Sequence, residues 1–278
     1  MKKFFFFFFL MAGFFYGNSQ RSEVGPFMGS SFYIGDLNPT TLFAKPRLAG
    51  GIVYRYNFNP RWALKASIIF GNVEGSDAET NDHYERNLSF RSPITEISAH
   101  AELNFFNLYN SSGRNRFTPY IFAGFSIFSF NPQAELNGEY YDLQHLGTEG
   151  QGLDGERDFY SLTNVAIPFG IGVKVNIGQY ISVGVEWGMR YTFTDYLDDV
   201  SGNYYDNRIL GEKRGEIVAA LADRSETIHP AGMGRGNVTT KDLYYFIGGI
   251  VTFKFGNADR TCDIRTNAKI RHRMGKKY

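Results

Sequence analysis

The sequence predicts an all-β protein: a transmembrane eight-stranded antiparallel up-and-down β-barrel with both termini periplasmic and long extracellular loops. Three observations carry this. Between Val165 and Phe193 every odd-numbered residue except Gln179 is apolar, while the even positions, among them Gly170, Gly172, Lys174, Gly184, Glu186, Gly188 and Arg190, are small, polar or charged. Side chains on a strand alternate faces with period two, so this is a hairpin with one continuous apolar face and one small, wet face. Aromatic residues make up 17% of the chain and there are 31 glycines, yet no later stretch has the roughly 18 unbroken apolar residues of a spanning helix. That combination suits a barrel with lipid-facing aromatic girdles and a crowded interior. The chain also opens with Lys2 and Lys3, an apolar run from Phe4 to Met11, and the small residues Gly17 and Ser19. This is the grammar of a secretory signal, which places the protein outside the cytoplasm.

The expected organisation follows: residues 1–19 as signal peptide cleaved near Ser19/Gln20, residues 20–256 as an outer-membrane barrel, and residues 257–278 as a basic periplasmic tail. The mature length of about 259 residues fits one domain. Net charge of +1 says nothing about partners, and the single cysteine, Cys262, excludes an intramolecular disulfide framework or a cysteine-based metal cluster.

Six strands join the hairpin. Residues 23–34 and 119–130 are bounded by Gly, Asn and Pro and rich in Phe, Tyr and Ile, although aromatics fall on both of their faces. From Arg47 to Phe58 the apolar side is Leu48, Ile52, Tyr54, Tyr56 and Phe58, with Arg55 and Asn57 opposite. After the turn Asn59-Pro60-Arg61 comes a strand with Trp62, Leu64, Ala66, Ile68 and Phe70 outward and Lys65 inward. Residues 93–106 set Ile97, Ala99, Ala101, Leu103 and Phe105 against Glu96, Ser98, His100 and Glu102. The last strand, residues 242–255, sets Leu243, Tyr245, Ile247, Val251, Phe253 and Phe255 against Thr252 and Lys254. Short connections fall at residues 59–61, 107–116 and 178–180, and long ones at 35–46, 72–92, 131–160 and 195–241. Outer-membrane barrels keep periplasmic turns short, which puts both termini on that side. A soluble sandwich or lipocalin-like barrel would also alternate, but the wet face, with Gly170, Gly172, Gly184 and Gly188 in two strands, is too poor in charge for a soluble exterior.

An eight-stranded lumen is only wide enough for side chains to fill. The inward residues Arg55, Lys65, Lys174, Arg190 and Lys254 face Glu96, Glu102 and Glu186 with His100, so an ion-paired plug is expected and a diffusion porin is not. His100 and Glu102 share a face and have the residue types of a hydrolase or metal site, but an interior histidine bonded to a carboxylate is the commoner arrangement. His83, His145, His229 and His272 fall in loops or the tail. Gly232-Met233-Gly234-Arg235-Gly236 has the glycines of a nucleotide loop without its strand and helix, and no nucleophile elbow or phosphate loop occurs, so no catalytic residue, cofactor or metal is expected. The longest loop carries helical spacing over roughly Glu212 to Arg224, read as a cap on the barrel mouth. In the tail Arg260, Cys262, Arg265, Lys269, Arg271 and Arg273 form a candidate docking segment for an acidic periplasmic partner, a solvated tail being the alternative.

Several segments resemble a family. Gly29-Ser30-Ser31-Phe32-Tyr33-Ile34-Gly35-Asp36-Leu37-Asn38-Pro39, Phe193-Thr194-Asp195-Tyr196-Leu197-Asp198-Asp199-Val200-Ser201, Ala222-Asp223-Arg224-Ser225 with Arg235-Gly236-Asn237, and Asp242-Leu243-Tyr244-Tyr245-Phe246 to Phe253-Lys254-Phe255 resemble the PorG-like outer-membrane barrels of Bacteroidota. The resemblance implies a non-enzymatic barrel of the type IX secretion machinery, associated with its periplasmic ring of lipoprotein and soluble subunits and linked to gliding in motile species. It carries over no catalytic residues. The alternatives are a small outer-membrane barrel that transports or binds an apolar small molecule, for which the charged lumen is ill suited, and a lipid-modifying or proteolytic enzyme.

Overall fold

The computed structural model describes residues 22–79, 84–107, 116–153, 155, 157–178 and 180–255. Its strands are β1 (Ser22–Ile34), β2 (Arg47–Asn57), β3 (Trp62–Ser76), β4 (Ser89–Asn104), β5 (Phe117–Phe130), β6 (Gln133–Leu136), β7 (Glu139–Asp142), β8 (Thr163–Ile177), β9 (Ile181–Thr192) and β10 (Leu243–Phe255). Two helices, α1 (Asn207–Arg214) and α2 (Glu216–Ala222), lie between β9 and β10.

Eight of the strands run in the order β3-β2-β1-β10-β9-β8-β5-β4, and a β3–β4 pairing closes the ring. Every neighbouring pair is antiparallel, with first and last strands joined from Ser22↔Phe255 to Ile34↔Leu243. Closure leaves no edge in the wall, which is what lets strands cross a membrane. The barrel strands span 11 to 16 residues, enough to cross a bilayer when tilted. β6 and β7 form a separate hairpin that continues outward from β4 through the pair Arg91↔Gln133.

Alternation fixes the faces. β3 reads exposed and buried in strict succession from Trp62 to Val73, and β4 and β8 do the same. The outward set is apolar and open: Leu48 is 86% exposed, Ile97 61% and Ile171 57%. On a water-soluble protein such a continuous belt would drive association; on a barrel it faces lipid. Phe58, Trp62, Phe105, Phe106, Phe117, Tyr180 and Phe255 crowd the end with the short turns, as in an interfacial girdle. On the inner face Gly170 and Gly188 make room for Phe122, since a Cβ on either would stand 2.6 to 2.7 Å from its ring.

Several expectations need correcting. β3 and β4 run further than their outward-facing residues suggested, so the second long connection shrinks to residues 77–88. The third contains the β6–β7 hairpin. The single helix expected over Glu212 to Arg224 is two short ones, because Gly215 takes a left-handed φ of 100° and its N–H closes on the Gly211 carbonyl at 3.0 Å. The signal segment and the tail, with Arg260, Cys262, Arg265, Lys269, Arg271 and Arg273, lie outside the described residues, as do His83 and His272.

Candidate functional site

The lumen has two storeys. Near the short turns it is ionic. Arg55 Nε donates to Glu102 Oε2 at 2.8 Å, and Lys174 Nζ reaches the same oxygen at 3.0 Å. Arg55 Nη1 also pairs with Glu23 Oε2 at 3.0 Å, and Asn57 and Thr252 complete that carboxylate at 2.9 and 2.7 Å. Lys65 binds Glu186, to which Tyr120 donates at 2.8 Å. Higher up, Arg190 takes both oxygens of Glu96, at 2.9 and 3.1 Å, and Tyr244 donates to the same group at 2.7 Å. Lys254 donates to Asn176 at 2.7 Å. Five buried cations meet four buried carboxylates, and rings fill out the cations: Lys65 sits 4.2 Å from the Phe122 centroid and Arg190 4.5 Å from Phe246. Paired and solvated by protein in this way, the charges make a plug.

The upper storey is aromatic. Phe27, Tyr33, Phe90, Phe128, Phe130, Tyr244 and Phe246 pack with Val73 and Ile94, and loop residues Leu37, Leu88, Leu197 and Val200 press into them from above. The sequence reading expected charge throughout and missed this layer, together with Glu23. The signal was visible as the aromatics on both faces of β1 and β5: the inner ones are this core.

His100 is placed on the inner face, 1% exposed, but the expected bond to a carboxylate is not made. Glu102 turns to Arg55 and Lys174, both imidazole nitrogens lack a partner, and the ring lies 5.1 Å from Phe122. A different trio does come together in the fourth long loop, where Ser225 Oγ and Asp223 Oδ2 each lie 3.1 Å from His229 Nδ1. A catalytic triad needs acid and nucleophile on opposite ring nitrogens, whereas here both crowd one, so this is a turn motif. Burial alone would raise Asp223, but hydrogen bonds from Ser225 and His229 outweigh it and hold the carboxyl low. Among the described residues no group of three His, Cys, Asp or Glu side chains is set to hold a metal.

Over the mouth, the long loops are tied into a cap by residues of the segments that carry the family resemblance together with Asp77, Arg86 and Glu149. Tyr33 donates to Asp198 Oδ2 at 2.5 Å and to Asp242 Oδ1 at 3.1 Å, joining β1, the fourth loop and the start of β10. Arg235 Nη1 reaches Glu149 Oε1 at 3.1 Å and the Asp199 carbonyl at 2.6 Å, and its Nε reaches the Ala222 carbonyl at 3.1 Å. Arg86 grips Asp77 and donates to the Asp36 and Arg235 carbonyls at 2.8 and 2.5 Å. Burial pushes Asp199 up to about 6 against the opposing pull of Arg235, and pushes Asp195 up to about 6 as well. Arg235, which the sequence places in a resembling segment without a role, and Arg86, which sits in an unpatterned loop, are the clasps that join all four long loops.

A closed ring with an apolar belt outside and a plugged, ion-paired lumen inside defines a small transmembrane β-barrel of the outer-membrane type. The chain belongs to the family described as a domain of unknown function (DUF6089), whose sequence model matches residues 2–211. No curated protein sequence matches it. Among solved structures it is similar to Neisserial surface protein A, at 11% identity and TM-score 0.43 over 86% of this chain and 100% of that one. It is also similar to the outer membrane protein OprG of Pseudomonas aeruginosa, at 10% identity and TM-score 0.39 over 87% and 99%. The N-terminal β-barrel domain of OprF from the same organism gives 10% and 0.37 over 86% and 100%. The barrel assignment stands on this chain's own strand pairing and not on these likenesses.

Proposed function

We propose that this protein is a non-enzymatic outer-membrane barrel of the type IX protein secretion and gliding machinery, anchoring a periplasmic ring of lipoprotein and soluble subunits. The observation that carries the reading is the filled lumen: Arg190 with Glu96 and Lys65 with Glu186 reach across it, with an aromatic core and a clasped loop cap above. A barrel so stoppered serves better as an anchor than as a conduit. Residues that resemble PorG-like barrels supply the machinery, and both ends of the barrel wall, Ser22 and Phe255, emerge together beside the short turns, the periplasmic side of such barrels. The docking is assigned to the basic stretch with Arg260, Cys262, Arg265, Lys269, Arg271 and Arg273, which follows Phe255 in the sequence.

The second reading, a barrel that carries or binds an apolar small molecule, would need free space where Phe128, Phe130 and Tyr244 now pack. The test is purification in mild detergent from cells expressing the full chain or one ending before Cys262. Co-purifying periplasmic subunits that vanish on truncation support docking by the tail. Equal recovery with the truncated barrel defeats the tail assignment, and absence of any secretion subunit with either form defeats the secretion reading.

A further inference from the structure

At one place the outer face of the wall is covered by the chain itself. On β10 the odd-numbered residues point outward, Val251, Phe253 and Phe255 among them, and on β1 the even-numbered ones do, as exposed Met28 marks. By that parity Phe32 and Tyr245 also point outward, and they are partners across the β1–β10 seam. Yet Phe32 is 5% exposed and Tyr245 0%. Their cover is the first long loop, which folds down over the outside of the wall. It sets the Phe43 ring edge-on against both rings, with centroids 5.2 and 6.1 Å away, and the Phe43 N–H donates to the Tyr245 hydroxyl at 3.1 Å. Asn38 holds the bend that sends the loop there, its Nδ2 donating to the Tyr33 and Thr41 carbonyls at 2.9 Å. The descent takes left-handed backbone at two residues that are not glycine, with φ of 65° at Phe43 and 44° at Lys45. Bulky side chains adopt that conformation only where the surroundings hold them in it.

Phe43 takes the place of what it covers. It lies on the outside of the wall, over two rings of the lipid-facing parity, and is itself 51% exposed, with exposed Leu42 beside it. A lone exposed apolar residue on a loop needs no explanation, but this one continues the apolar belt. Its polar atoms are arranged as hydrocarbon demands, since an unpaired backbone N–H there is costly and that of Phe43 is paired. Charge begins two residues further on, where Lys45 Nζ meets Glu74 Oε1 at 3.1 Å and Arg47 Nε meets Glu74 Oε2 at 2.6 Å. Basic side chains next to an apolar stretch are what the headgroup level of a bilayer accommodates. We infer that the first long loop is a membrane contact: Phe43 and Leu42 lie against the acyl chains of the outer leaflet, and Lys45, Arg47 and Glu74 lie among its headgroups. The same loop is held in the cap at its other end, where Arg86 donates to the Asp36 carbonyl, so it moors the cap to the bilayer. The inference rests on the barrel's place in a membrane and is independent of the secretion reading.

The experiment places the full barrel in nanodiscs of dimyristoylphosphatidylcholine and follows its amide NMR signals with two relaxation agents. One is a phospholipid with a nitroxide near the top of its acyl chain, the other a water-soluble gadolinium chelate. Leu48, exposed on the wall, reports whether the barrel sits in the bilayer, and Gly138 in the third loop and Arg208 on α1, both exposed, report on water. The Leu42 and Phe43 amides should lose intensity to the nitroxide lipid as Leu48 does and keep it in the gadolinium chelate, the reverse of Gly138 and Arg208. Cross-peaks from acyl-chain methylenes to the Phe43 ring, identified by their loss in Phe43→Leu, should accompany this. Gadolinium broadening of Leu42 and Phe43 as strong as at Gly138, with Leu48 shielded, overturns the inference and leaves the barrel in place. So does a Phe43 ring with cross-peaks to water and none to lipid. A Leu48 that broadens with gadolinium defeats the membrane barrel and the loop contact together.

Discussion

Arg190 on β9 and Glu96 on β4 stand three strands apart around the barrel, yet the guanidinium holds both carboxylate oxygens, at 2.9 and 3.1 Å. The pair is a strut across the lumen. Sheet hydrogen bonds fix only neighbours, whereas this contact sets the distance between opposite walls.

Removing Arg190 leaves the buried Glu96 carboxylate with the neutral Tyr244 hydroxyl and without its counter-charge. Arg190→Met should therefore cost about 3–5 kcal/mol, whereas Arg190→Met with Glu96→Leu should recover most of it, because a matched apolar pair carries no desolvation penalty. Urea titration of the folded barrel, followed by the mobility difference between unboiled and boiled samples in detergent gels, measures both. Equal loss in the single and double variants would mean that the pair contributes by packing alone.

His100 makes the opposite prediction. Its two ring nitrogens are buried without partners beside Phe122, so the imidazole is a cost to the fold. His100→Leu should leave the barrel as stable or raise the urea midpoint. A clear loss of stability would show that His100 has a partner, such as a bound water, and that the polar group is needed.

These two sites show how unevenly the structure was written in the chain. Arg190 and Glu96 were legible because β4 and β9 alternate cleanly, and period two alone assigns their faces. Glu23 was not, since β1 also carries Phe27 and Tyr33 inward and Phe32 under Phe43 and Tyr245 at the rim, which blurs the period. The cap was least legible of all. Loops have no period, so nothing in the spacing of Arg86, Glu149, Asp199 and Arg235 announces that they meet. Only the glycine at position 215, which splits the expected helix, had a local reason that could have been read beforehand.

Acid should tighten the cap. Asp199 is buried and its carboxyl is raised to about 6, above the value of about 4 for an unfolded aspartate. The folded loops thus bind this proton more tightly than the unfolded chain, so the stabilisation is full below about pH 4 and is lost as pH rises through about 6. Asp195, raised by burial to about 6 as well, acts in the same sense, and Asp223 in the opposite sense. Amide protection factors over Leu197 to Gly202 should rise between pH 7 and pH 5, and the rise should shrink in Asp199→Asn. For Asp199 alone the bound over that interval is about tenfold, and the full effect of about a hundredfold, a factor of ten per pKa unit, is reached only below about pH 4. A fall in protection with acid would reverse the assignment.

Arg235 tests whether the cap is one body. Its guanidinium joins Glu149 in the third loop to the carbonyls of Asp199 and Ala222 in the fourth, and its own carbonyl receives Arg86 from the second loop, which in turn holds the Asp36 carbonyl in the first. Arg235→Met strands Glu149 without its cation and leaves two buried carbonyls short of a donor. The expected loss of about 3–5 kcal/mol falls on the loops and not on the wall, because the strand ladders do not pass through Arg235. Trypsin should then cut within the long loops of Arg235→Met under conditions where the wild type and Arg208→Ala stay whole. The barrel itself should still shift on boiling. Loops that resist trypsin as before would mean that the aromatic core beneath, Leu197 and Val200 included, holds the cap without the clasp.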